Sequence, residues 1–143
     1  MIRDEKPDMF DWLAAAVLSL GTLALLLATM EIGVTRDESF YFHAAYQYIG
    51  WFDALWANLS SGHLSESFTK ANIDRHWSYN TEHPVLMKTL FALSHQLFHD
   101  KLEWMSDSTA FRFPGAVTAS ALVGLVFVWT RQLAGRGAAV VAA

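Results

Sequence analysis

Residues 12–34 read "WLAAAVLSLGTLALLLATMEIGV". No residue from Trp12 to Met30 is charged, and Glu31 is the first that is. A helix rises ~1.5 Å per residue, so ~20 such residues cross the ~30 Å hydrocarbon core of a bilayer. A secretory signal would carry a basic amino-terminal region, a shorter apolar core and a small-residue cleavage site. Here the preceding "MIRDEKPD" mixes Arg3 and Lys6 with Asp4, Glu5 and Asp8, and no such cleavage site follows. The stretch therefore predicts a membrane span over 12–34, and with it an all-α polytopic membrane protein.

The composition of the 143-residue chain agrees. Apolar residues make up 53% and charged residues only 17%, against roughly 25% charged in average globular proteins. The net charge is −4 with no basic stripe, which speaks against nucleic-acid binding. Cysteine is absent, which removes disulfides, thiolate catalysis and Cys-ligated zinc. Six Trp suit a chain whose rings anchor at a membrane interface.

Two further segments extend the pattern. Residues 110–130, "AFRFPGAVTASALVGLVFVWT", carry no charge between Arg112 and Arg131. Gly115, Ala119 and Gly124 there are small residues of the kind that let membrane helices approach closely. Residues 84–98, "PVLMKTLFALSHQLF", begin with a helix-starting Pro84 and repeat Leu86, Leu90, Leu93 and Leu97 at helical spacing. Lys88, His95 and Gln96 interrupt them, so the segment reads either as an amphipathic interfacial helix or as a short second span, and the span is expected. The chain thus holds two to three transmembrane helices. "RQLAGRGAAVVAA" restarts an apolar run at Gly137 that is too short to cross, so a portion of a longer protein or a truncated gene is expected. Lys and Arg are spread over all segments and give no orientation.

Between the first two apolar segments lies a polar loop, 35–83, with six of the 14 acids and four of the six His. Residues 36–57 read as a helix bearing Phe40, Tyr41, Ala44, Tyr48, Trp51 and Leu55 broadly on one side, expected to lie along the bilayer surface. At its start, Thr35-Arg36-Asp37-Glu38 has the T-x-x-E form of a capping box. That alone accounts for both acids as helix-starting groups. Glu82-His83-Pro84 likewise reads as a helix entrance. His95 and His99 stand four apart, a spacing that permits a metal pair without arguing for one. Asn58-Leu59-Ser60 has the form of a glycosylation acceptor, a triplet common by chance.

The order of these clusters carries more than any one of them. A first span is followed at once by Asp37-Glu38-x-x-Tyr41 and then Ala44-Ala45. About forty residues later comes Glu82-His83-Pro84-x-Leu86, and then "FRFPGAVTASALVGLVFVWTRQLAGRG". This arrangement resembles the amino-terminal part of the C-fold membrane glycosyltransferases, within them the protein O-mannosyltransferases and the bacterial aminoarabinose-lipid A transferases. The resemblance covers roughly residues 10–143. Glu-His-Pro-Val stands where that family has a double proline, and Arg112-Phe113-Pro114 where it has Arg-Leu-Pro. The enzymes of the family are several times longer and cross the membrane many more times.

The resemblance implies transfer of a sugar, with inversion, from a polyprenyl-phosphate donor to an extracytoplasmic protein or lipid acceptor. Asp37 would be the catalytic base, Glu38 would position it, and Glu82 would be the second active-site acid. Tyr41, His83 and Lys88 would bind substrate. A divalent metal at Asp37 and Glu82 is compatible with the resemblance. It implies a bacterial inner membrane with loop 35–83 extracytoplasmic, and a missing carboxy-terminal part or other membrane subunits as partners. The 143 residues alone are expected to lack transferase activity. The alternative is a non-catalytic small membrane protein, a remnant acting as an assembly partner.

Overall fold

The computed structural model describes residues 6–31 and 33–143. Arg3, Asp4 and Glu5, weighed above against a signal sequence, and Ile32, near the end of the expected first span, lie outside the described residues. The fold is all-helical, with no strand among the described residues. Six α-helices follow in order: α1 Met9–Thr29, α2 Arg36–Ser61, α3 Lys70–Trp77, α4 Val85–His95, α5 Asp107–Ala134 and α6 Arg136–Ala142. A 3-10 turn, Leu64–Phe68, precedes α3, and a π-helical turn, Gln96–Lys101, extends α4. Two helices, α1 and α5, are long and apolar enough to cross a membrane.

The chain divides into two compact units, Met1–Met30 with Gly115–Ala143, and Glu31–Pro114. In the first, α1 starts at Met9 because Asp8 and Asp11 form a capping box. Each carboxylate accepts from the other residue's amide at 3.0 Å. α1 packs antiparallel to the later part of α5, since Asp11 pairs with Arg131 whereas Ser19, further along α1, meets Gly124. A Cβ on Gly124 would crowd the Ser19 hydroxyl oxygen, which would have to turn away, and would touch the Ala15 carbonyl at 3.4 Å. Gly115, by contrast, faces open space. Ala15, Phe127, Val128 and Ala139 form the small core. Gly135, at φ 90, breaks the helix after Ala134, and α6 folds back so that Arg136 joins Arg131 at the buried Asp11.

In the second unit, α2 opens on the Thr35–Glu38 capping box read from the sequence. Its Phe42, Ala45 and Tyr48 pack with Ala92 of α4 and Phe111 of α5. Phe42 stacks on Phe111 at 4.6 Å and Tyr48 on Trp77 at 4.0 Å. The face of α2 expected to lie on the bilayer thus buries Ala44 and Tyr48 against protein, while Phe40 and Trp56 are exposed. Pro114, inside α5, cannot donate to the Ala110 carbonyl four residues back. The Ser94 hydroxyl donates to that carbonyl instead, at 2.7 Å. The stretch expected to span, 84–98, is helical throughout after Pro84, as the 11 residues of α4 and then the π-helical turn that continues to Lys101. Of the polar residues that made the segment ambiguous, Lys88 and His95 are buried against protein and Gln96 is half-buried; Ser94 is buried as well.

Candidate functional site

A cleft of about 580 Å³ opens in the second unit, lined by Asp37, Phe40, Tyr41, Tyr79, Asn80, Glu82 and His83. Its size is that of a small-molecule site. One wall is the first two turns of α2. The other is the turn that leads into α4. Four of the six candidate residues, Asp37, Glu82, Tyr41 and His83, therefore line one space although they come from two segments some forty positions apart. The Tyr41 and His83 rings lie 5.4 Å apart, and His43 packs edge-on against Tyr79 at 4.6 Å, which firms the outer wall.

The local chemistry separates Asp37 from Glu38. At the third position of α2, Glu38 turns back to accept from the Thr35 amide at 3.0 Å. It also accepts from the Nε and Nη2 of Arg112 at 2.9 and 2.8 Å. The Arg112 guanidinium, despite partial burial, holds the Glu38 carboxyl down at about 2. Arg112 also donates to the Gly33 carbonyl at 3.2 Å, tying the chain before α2 to the start of α5. Glu38 is thus engaged on both oxygens and does not line the cleft. Asp37, one residue earlier, is exposed and does.

Lys88 sits behind the wall rather than in the cleft. It is fully buried, donates to the Asn80 carbonyl and lies 5.8 Å from the centre of the Tyr48 ring. Burial pushes its ammonium below the usual lysine range, and the Glu82 carboxylate partly offsets this. Its work is to hold Asn80, which adopts a left-handed backbone at φ 55 and so turns the chain into the cleft wall. The Asn80 side-chain oxygen is buried with no partner. Sequence reasoning did not single out Tyr79 or Asn80. The only signal was Asn in "YNTEHP", the residue type that best tolerates a left-handed turn.

Asp37, Glu82 and His83 line the cleft, but among the described residues they do not gather at ligand spacing. Among the described residues, the grouping with ligand spacing forms elsewhere, at His95, His99 and Asp100. The cleft can nevertheless seat a polyhydroxylated molecule. Carboxylates accept from hydroxyls, and aromatic rings cover its C–H faces. No family model matches the chain, and no similar curated protein or solved structure was found.

Proposed function

We propose that the chain carries the acceptor-activating site of a membrane glycosyltransferase that uses a polyprenyl-phosphate-linked sugar. One observation carries this reading: Asp37 and Glu82, from two separate segments, line a single aromatic-walled cleft. In the reaction, Asp37 takes the proton of the acceptor hydroxyl as its oxygen attacks the anomeric carbon. The bond from that carbon to the phosphate oxygen breaks, the lipid phosphate leaves with the electron pair, and the configuration inverts. Glu82 and Asn80 orient sugar or acceptor hydroxyls, and Tyr41 and His83 hold the ring. Lys88 acts through the Asn80 turn and does not touch substrate.

A membrane setting for this chemistry has its own support. Only 6% of the most apolar stretch of α1 and 28% of that of α5 is buried, whereas a soluble core helix would be mostly covered. α1 is ion-paired into its unit through Asp11 and contributes Ala15 to its core. Because α1 and α5 are antiparallel, two crossings with 84–98 on the loop side satisfy the chain. Arg131 and Arg136 then share the amino-terminal side with Lys6, while Arg36, Lys70, Arg75, Lys88 and Lys101 lie on the other, so the orientation rests on the resemblance and not on charge. Loop 35–83 is extracytoplasmic, where a base can meet an acceptor from water while the donor stays in lipid.

The test is transfer of a radiolabelled sugar from a polyprenyl-phosphate donor, in membranes carrying the gene's full product. Donor-dependent product that disappears with Asp37→Asn supports the proposal. Product indifferent to that substitution overturns it.

A further inference from the structure

The π-helical turn after α4 holds a second group of side chains, made of different residues from the cleft. His95 is 3% exposed, and its ring is fixed by stacking on Phe111 at 4.2 Å. Its Nε2 donates to the Asp107 carboxylate at 2.8 Å. That bond leaves Nδ1 facing the Asp100 carboxylate at 3.4 Å with no hydrogen-bond partner. His95 is buried and Asp100 exposed, so the pair stands at the edge of the fold, where a nitrogen and a carboxylate can share a cation.

A proton is the simplest such cation, but the spacing disfavours it. Charge-assisted N–H···O bonds close to roughly 2.7–2.9 Å. A tetrahedral ion with ~2.0–2.1 Å bonds to N and O sets its ligands about 3.3–3.4 Å apart, which is the distance seen. A third ligand stands ready. His99 is oriented by its own bond, Nδ1 donating to the Met105 carbonyl at 2.9 Å, which leaves Nε2 as the ligand atom. The two rings lie 4.7 Å apart. One ligand atom each from His95, His99 and Asp100 falls within 4.8 Å of the others.

The remaining features also suit a metal. Ligating histidines characteristically donate their other ring nitrogen to a carboxylate or a backbone carbonyl, and here Asp107 and Met105 fill those two roles. Tyr46 donates to the same Asp107 oxygen at 2.5 Å, fixing the carboxylate from behind. The extra residue per turn in a π-helix is a frequent mark of functional sites. Here it brings His99 and Asp100 round to the His95 side. A recess of about 460 Å³ lined by His99, Asp100, Glu103 and Met105 gives an entry path and room for a water in the fourth position.

We propose that His95, His99 and Asp100 bind a divalent first-row cation, zinc foremost, with Asp107 and the Met105 carbonyl as the groups that orient the two imidazoles. Two imidazoles and one carboxylate are the donor set that suits zinc. The site does not depend on the glycosyltransferase reading.

The test is Zn²⁺ titration of the chelator-treated full chain in detergent, with Co²⁺ as a spectroscopic probe. The wild type should take up one equivalent, and bound Co²⁺ should show the intense visible bands of tetrahedral coordination. His99→Gln and Asp100→Asn, both outside the core, should each weaken binding by at least about 10–100-fold, the loss produced by removing only a group that orients a ligand. Asp107→Asn should fall in that range. Substituting the buried His95 risks unfolding, so the exposed variants carry the test, with helicity checked by circular dichroism. Stoichiometric binding that survives in both variants overturns the site. So does a folded wild type that takes up no more zinc than the His99→Gln/Asp100→Asn double variant.

Discussion

Two helices begin with the same device and use it differently. At α1, Asp8 caps and Asp11, three residues on, reaches back. At α2, Thr35 caps and Glu38 does the same. In both, the returning acid is then taken by arginine: Arg131 and Arg136 hold Asp11, and Arg112 holds Glu38. What differs is the residue between. The second helical position is Phe10 in α1, an exposed apolar side chain, and Asp37 in α2, an exposed carboxylate lining a cleft. An acid one residue from a capping acid is spared the cap and the arginine. The comparison teaches that of the adjacent pair Asp37-Glu38, one anion is structural and the other is free for chemistry.

The sharpest way to break this division is to exchange charge for amide at each acid and read two quantities. Asp37→Asn should lower sugar transfer by roughly 10²–10⁴-fold, the usual contribution of a general base. Stability should change by only about a few tenths of a kcal/mol, the cost of a lost helix-dipole contact. Transfer assays beside thermal unfolding in detergent check it. Near-normal turnover would make Asp37 a second helix-starting acid and nothing more.

Next in size is Asp11→Asn. This carboxylate is almost wholly buried and takes bonds from both Arg131 and Arg136 at 3.1 and 2.7 Å. Taking its charge away strips an ion pair from a buried arginine, which is costly because the remaining charge keeps its desolvation penalty. The expected result is a fall in Tm on the order of 10 °C. It should exceed that of any single change at the α2 cap. A fall no larger than that of Glu38→Gln would mean that the first unit is held by its apolar packing alone.

These contrasts also show what could be read in the sequence. The apolar stretch 12–34 and the T-x-x-E at 35–38 are local patterns; the capping box forms as read, whereas the helix over the apolar stretch ends at Thr29. α1 also starts at Met9, because Asp8 and Asp11 cap it earlier than the apolar run suggests. The polar side chains of 84–98 are buried by partners outside the segment. Lys88 is buried because a carbonyl at Asn80 receives it, and Ser94 because Pro114 leaves the Ala110 carbonyl without its helical donor. Neither pairing leaves a spacing signal. The gathering of Asp37, Tyr41, Glu82 and His83 came from the order of clusters and not from any one motif. Arg112, which separates Glu38 from Asp37, lies 74 positions from its partner. His95 and His99 looked like a bare spacing because Asp107 and the π-turn that complete their surroundings are visible only in three dimensions.

Third is Glu38→Gln. Its bonds to Arg112 are charge-assisted but partly open to solvent, so the loss should be about 1–2 kcal/mol. The same pair gives an acid limb. The Glu38 carboxyl lies at about 2 in the folded chain against an ordinary 4.5. Its contribution is therefore fully present above pH 4.5 and is lost as pH falls from 4.5 toward 2. Wild-type Tm should drop across that window more steeply than that of Glu38→Gln. Parallel curves would show that Arg112 does not favour the charged form.

The smallest effect belongs to the cap itself. Thr35 Oγ1 accepts from the Glu38 amide at 3.4 Å, a long bond at an exposed helix end. Thr35→Ala should cost about 1 kcal/mol, the ordinary loss of an N-cap hydroxyl, and Thr35→Ser should recover most of it. Transfer should stay within about threefold of wild type, because the first turn of α2 is also held by Arg112 through Glu38, and Asp37 keeps its place while that turn is helical. Denaturation and transfer measured on the same preparations decide the matter. If Thr35→Ala lost activity as deeply as Asp37→Asn while Thr35→Ser restored it, the hydroxyl and not the helical turn would be setting the geometry of Asp37. The boundary between cap and chemistry would then move back by two residues.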